Sequence, residues 1–168
     1  VDEAIEIFAE QAVALAERGV DLFSVETFYD LAEIEAAVRG IRRVSDQPIV
    51  AHMTLEDDGS SLEGVAPEVF GPRLAALPVQ AVGVNCSVGP AAMLDAVERM
   101  ARVVALPISA QPNAGKPRAV DNRNLYLCSP EYMAVYAKRF IEAGVRIVGG
   151  CCGTTPDHIK AIRGAVRA

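Results

Sequence analysis

The chain has no tryptophan, 5% aromatic residues, two histidines and four cysteines. Its Lys and Arg residues form no run, and the net charge is −6. A nucleic-acid partner is therefore excluded, because phosphate binding needs clustered basic side chains. No apolar stretch reaches the roughly eighteen residues that suggest a membrane span. The opening segment is acidic and helix-like, which does not suit a secretory leader. Four cysteines in 168 residues, two of them adjacent, are too few for a disulfide scaffold. That usage points to a reducing, cytoplasmic setting and to metal or thiol chemistry. Low-complexity tracts and linkers are also missing, so the expectation is one domain over 1–168 with no second domain. At 51% hydrophobic residues the chain can bury a core and is not disordered.

What the chain does have is a repeated alternation. Asp2 to Arg18 places Ile5, Phe8, Ala12, Leu15 and Ala16 on one helical face, and Gly19 suits the end of that helix. Val20 to Val25 reads as a strand, Leu31 to Val44 as a helix and Pro48 to Met53 as a strand. A polar loop precedes a helix over Pro67 to Leu77. Strand Ala81 to Val84, helix Ala91 to Val104 and strand Pro107 to Ala110 follow. A long loop, Gln111 to Ser129, is rich in Pro, Asn and Gly. Ser129-Pro130-Glu131 has the pattern of a capped helix start. Strand Val145 to Val148 and a helix opening at Thr155-Pro156-Asp157 complete the chain.

The order is one helix and then five βα units, with strand starts about thirty-one residues apart. Strands alternating with helices imply an α/β fold with a parallel sheet buried on both faces. A doubly wound sheet and a segment of a (β/α)₈ barrel both fit. No G-x-G-x-x-G follows the first strand, which weakens a dinucleotide-binding reading. Eight units at this spacing make about 250 residues, the typical barrel length. Because the first residue is Val1 and not Met, the chain is expected to be a piece of something longer.

In either architecture, chemistry collects at the C-terminal strand ends. Those ends carry Glu26-Thr27, Met53-Thr54, Asn85-Cys86, Gln111-Pro112-Asn113 and Gly149-Gly150-Cys151-Cys152-Gly153. Three of the four cysteines thus converge on one rim. Three thiolates and an open fourth position suit catalytic Zn²⁺, provided the backbone turns sharply at the adjacent pair, a freedom expected of the flanking glycines. Zn²⁺ with three thiolates carries a single net negative charge. Such a centre is a mild Lewis acid that holds a substrate thiol as a nucleophilic thiolate. A redox pair at Cys151-Cys152 is the competing thiol chemistry. Cys128, away from the strand ends, reads as a small buried hydrophobe. A closed Cys₃His site would need His52 or His158; His52 lies within a strand, and His158 reads as a surface residue of the last helix. Glu26 needs either an Arg partner or a cationic substrate group. Asn113 is either a turn residue or a polar rim ligand.

These rim motifs resemble one family. G-V-N-C at Gly83 to Cys86, Gly89-Pro90 and G-G-C-C-G-T-T-P at Gly149 to Pro156 are similar to the homocysteine S-methyltransferase signature, as are E-T-F at Glu26 to Phe28 and P-N-A-G at Pro112 to Gly115. The segment N-L-Y-L-C-S-P-E-Y most resembles bacterial proteins that fuse this domain to a methylenetetrahydrofolate reductase. The resemblance implies a (β/α)₈ TIM-type barrel, of which this chain supplies the last five βα units and the preceding helix. It implies zinc on Cys86, Cys151 and Cys152, with homocysteine sulfur in the open position receiving a methyl group to give methionine. Glu26 would receive the substrate ammonium, and Asn113 would touch zinc or substrate. Thr27 and Asn85 complete the expected substrate-binding set. The methyl donor is left unnamed. A missing N-terminal barrel segment, or another chain, is expected to cover the open barrel edges. A non-catalytic half-barrel with a structural zinc-thiolate clip is the alternative reading.

Overall fold

A computed structural model describes residues 1–167. It contains α1 (Asp2–Ala16), β1 (Phe23–Phe28), α2 (Leu31–Val44), β2 (Ile49–Met53), α3 (Pro67–Ala75), β3 (Ala81–Asn85) and α4 (Pro90–Ala101). These are followed by β4 (Ile108–Gln111), β5 (Arg118–Val120), β6 (Arg123–Leu125), α5 (Pro130–Glu142), β7 (Val145–Val148) and α6 (Pro156–Val166). The main sheet has the order β1-β2-β3-β4-β7, and every pairing is parallel. Strand order follows chain order without reversing. A doubly wound sheet would reverse at a switch point, so the winding is barrel-like, with β1 and β7 at the two edges.

The period of two along each strand separates two faces. Val25, Ala51, Met53, Val82, Val84 and Ala110 pack against the helices in one core with Phe70, Met93 and Phe140. The opposite face carries the polar residues Ser24, Glu26, His52, Asn85, Ser109 and Gln111 in matched register. Burying a side chain such as Phe70, which is fully enclosed, contributes about 1.5–3 kcal/mol. The two-faced sheet is thus held by its helix side and leaves its other face for chemistry.

Several local expectations shift. The first strand begins at Phe23 and reaches Phe28. Gly19 turns the chain in a left-handed conformation, and the Val20 carbonyl accepts the Gln47 amide instead of entering the sheet. The long loop after β4 is not irregular throughout: β5 and β6 form an antiparallel hairpin. Asp121 and Asn122 at its tip both have positive φ, as a two-residue hairpin turn requires. Its strands are fully exposed and lack apolar alternation, so nothing in R-A-V-D-N-R-N-L marked them. Helix α2 begins where Asp30 accepts from the amides of Ala32 and Glu33.

Gly83 sits where β3 passes β4, and a Cβ there would lie 2.1 Å from the Ser109 carbonyl oxygen. Gly83→Ala is expected to lower stability by about 2 kcal/mol or more. Gly164, in the last turn of α6, meets no atom within 4 Å. Gly164→Ala is expected to raise stability by about 0.5–1 kcal/mol. Urea denaturation of the two variants checks the contrast.

Candidate metal centre

The rim is assembled from three loops that hydrogen-bond to one another. After β3 the backbone turns through Cys86 (φ 62°) and Ser87 (φ 57°). Neither is glycine, so this turn is strained. It is held by Cys86 N–H donating to Gln111 O at 3.1 Å and by Asn113 N–H donating to Val88 O at 3.0 Å. From the other side, Cys151 N–H donates to Pro112 O at 2.8 Å and Ala114 N–H to Cys152 O at 2.9 Å. The Asn113 side chain, almost fully buried, accepts the Cys152 N–H at 3.1 Å. The segment Pro112 to Ala114 therefore docks both cysteine loops.

Of the glycines flanking the double cysteine, Gly153 alone takes a positive φ, 79°. Gly150 is needed for a different reason: a Cβ there would lie 2.3 Å from Thr154 Oγ1. The freedom expected of all three is thus used at one and replaced by close approach at another.

The result is a cluster in which the sulfurs of Cys86, Cys151 and Cys152 lie within 4.8 Å of one another. Cys86 Sγ and Cys152 Sγ are 3.8 Å apart. Tetrahedral zinc with Zn–S bonds of ~2.3 Å needs sulfurs about 3.8 Å apart, so the donors suit that ion in type and the Cys86–Cys152 pair has its spacing. Burial first, then the hydrogen shared with Cys86 and repulsion from the neighbouring thiolates, pushes the Cys151 thiol up to about 12. The Cys151 thiol therefore keeps its proton unless a cation displaces it. Cys128 lies apart, packed with Met133, Ala137 and Ile162, and burial raises its thiol pKa.

The other candidate residues divide. Thr27 sits at a bulge with φ 67°, and Asn85 clamps it from both ends of its carboxamide. Asn85 Oδ1 accepts Thr27 N–H at 2.8 Å, while Nδ2 donates to Thr27 Oγ1 at 2.9 Å. Asn85 Nδ2 also lies 3.9 Å from Cys151 Sγ. Glu26 is exposed on the polar face and accepts from Ser24 Oγ at 2.6 Å. Among the described residues no Arg or Lys forms an ion pair with it. Glu26 therefore has a carboxylate oxygen available to a ligand.

Neither histidine joins the thiols among the described residues. His158 is buried, contrary to the surface position expected for it. Its Nδ1 accepts the Thr155 N–H at 3.1 Å, so Nε2 carries the proton and donates to Cys128 O at 2.9 Å. The α5–α6 pairing and this cap enclose it. Sequence reasoning missed Tyr126, whose ring covers Gly153. Burial first, and then the Cys152 thiolate, raise its phenol pKa.

A parallel α/β sheet with a polar face and three thiols at its strand ends defines a thiolate-site protein. The homocysteine S-methyltransferase family model matches residues 1–166, and the chain belongs to that family. It is 38% identical over 168 residues to a methionine synthase of Mycobacterium leprae and 36% identical over 165 residues to one of Mycobacterium tuberculosis. Each alignment covers 95% of this chain and 14% of the relative. The Escherichia coli homocysteine methyltransferase MmuM is similar in structure. Its apo form gives a TM-score of 0.75 at 26% identity, covering 96% of this chain and 57% of that one. Its metallated form gives 0.77 at 27%, covering 98% and 52%. The chain therefore spans about half of those structures and a small part of the methionine synthases. Among the described residues no helix is long and apolar enough to cross a membrane.

Asn113→Ala is expected to cost about 1–3 kcal/mol, because it leaves the Cys152 N–H without its buried acceptor. Asn113→Asp, which keeps an acceptor, is expected to lose less. Chemical denaturation of both variants measures the difference.

Proposed function

We propose that Cys86, Cys151 and Cys152 hold Zn²⁺ and that homocysteine is the thiol activated there for methyl transfer to its sulfur. The observation that carries this is the thiol cluster itself, whose 3.8 Å sulfur separation suits tetrahedral zinc. Zinc, when bound, supplies mild Lewis acidity that keeps a substrate thiol ionised near neutral pH.

The chain's own residues do the rest. Asn85 holds the Thr27 bulge and so fixes where Glu26 leaves β1. Glu26 offers its carboxylate to the substrate ammonium from the same face of the sheet. Asn113 sets the pitch of the double-cysteine turn and so aims Cys151 and Cys152 at Cys86. Tyr126 packs over Gly153 beside the thiols, and Cys152 stays open to solvent and to an incoming thiol. In this reading the five parallel strands are part of a closed (β/α)₈ barrel, whose other strands cover the free edges of β1 and β7. The methyl donor belongs to contacts beyond these residues. A fusion to a methylenetetrahydrofolate reductase and a methionine synthase arrangement are both compatible with the parent polypeptide.

Reduced protein is expected to bind about one zinc per chain. Cys86→Ala or Cys152→Ala is expected to weaken that binding by at least about a hundredfold. X-ray absorption should show one further sulfur on zinc when homocysteine is added. Zinc uptake that survives both substitutions would overturn the ligand set, and a zinc site unchanged by homocysteine would favour a closed structural clip.

The pH dependence has a definite sign. The ligands must lose thiol protons, and Cys151 starts from about 12. Zinc affinity is therefore expected to rise with pH, by up to about three log units per pH unit while all three thiols are protonated. Proton release measured calorimetrically in buffers of different ionisation enthalpy checks this.

A further inference from the structure

His52 is fully buried on β2, yet the thiol site does not use it. Its surroundings are a row of side chains across the polar face. The register pairs Val25 with Ala51 and Phe28 with Met53, so the bulged pair Glu26-Thr27 lies opposite His52, with the Glu26 charge close enough to act on the imidazole. On the other side His52 pairs with Gly83, and Gly83 with Ser109. Gly83 has no side chain, so the imidazole reaches across β3, and His52 Nε2 meets Ser109 Oγ at 2.9 Å. The Gln111 amide nitrogen lies 3.2 Å from the same Nε2. An amide N–H₂ can only donate. Nε2 is therefore the acceptor, and the imidazole proton is on Nδ1. That Nδ1 is buried and has no hydrogen-bond partner among the described residues. A buried donor without an acceptor is costly, and the adjacent residue on the same face, Glu26, carries an acceptor-only carboxylate.

Gln111 extends the row in the opposite direction. Its side chain is the nearest group to Gly149, with Cγ 3.4 Å from the position a Cβ would take there. Gly149 opens the loop that carries Cys151 and Cys152. Contacts therefore run from His52 through Gln111 to the loop that bears the thiols, and Glu26 stands at the other side of the imidazole.

We propose that His52 is a positioning residue whose Nδ1–H, together with the Ser24 hydroxyl, orients the Glu26 carboxylate toward a substrate ammonium. The assignment rests on the reading of Glu26 as the ammonium acceptor. Burial lowers the His52 pKa more than the Glu26 charge and the nearby Val25 backbone carbonyl raise it, which favours the neutral imidazole and so its acceptor at Nε2. That carbonyl is the competing acceptor for Nδ1–H, and the response to Glu26→Ala distinguishes the two.

The chain has two histidines, so ¹⁵N-histidine spectra of the zinc-loaded protein contain two imidazoles. His52 is expected as the Nδ1–H tautomer and His158 as the Nε2–H tautomer. Glu26→Ala should shift the His52 Nδ1 signal and leave His158 in place. For binding, the probes are homocysteine and 4-mercaptobutanoate, which lacks the amino group. His52→Leu is expected to weaken homocysteine about tenfold while 4-mercaptobutanoate and zinc change little. His52→Asn, which keeps a donor near the Nδ1 position, should restore most of the loss and also guards against a folding defect in the leucine variant. An Nε2–H tautomer at His52, a signal indifferent to Glu26→Ala, or equal weakening of both thiols would each overturn the assignment. Should the unaltered chain bind neither thiol, the homocysteine reading fails, and the tautomer and its response to Glu26→Ala still decide the His52–Glu26 contact.

Discussion

The hydrogen bonds of the Pro112–Ala114 segment hold the rest of the site in place. The segment takes the Cys151 amide on one side and gives the Asn113 amide to Val88 on the other. The neighbouring Gln111 carbonyl receives the Cys86 amide. Two cysteine loops sixty-five residues apart are thereby set against a common spacer. Backbone groups of a strand-end loop must find partners when they are shielded from water. Here that requirement is met by pairing loop to loop, and the pairing brings the sulfurs together.

The same economy governs the electrostatics. The helix side of the sheet is apolar and closely packed, so strand positions are rigid. The other face can then carry Glu26, His52 and Gln111 at fixed spacing without itself holding the fold together. A carboxylate, an imidazole and a thiol cluster stand at successive places on that face. Rigid elements beneath a polar constellation are what a preorganised site needs.

Much of this was legible in the residues and part of it was not. Alternation of β-branched runs with amphipathic stretches placed the five parallel strands, because burial on both faces leaves a strong pattern. Cysteines directly after two of those strands made the rim legible as well. The hairpin of β5 and β6 was hidden because its residues are exposed and carry no burial signal. His158 was misjudged because a helix first turn is usually solvated, whereas here α5 and Cys128 cover it. The contact between His52 and Ser109 depends on a missing side chain at Gly83 and on parallel register. Neither is visible until strands are paired. Asn113 held both possible meanings in the chain; the structure shows its carboxamide engaged with the Cys152 amide.

Each main strand pairs with the one before it in the sheet, so β1 to β4 can add in the order in which the chain is synthesised. Cys86 is then in place well before β7 delivers Cys151 and Cys152. The thiol cluster closes only when that last strand docks beside β4 and its loop meets Pro112. The full three-thiol set therefore exists only once β7 has been made and has docked, and until then Cys86 stands without the other two.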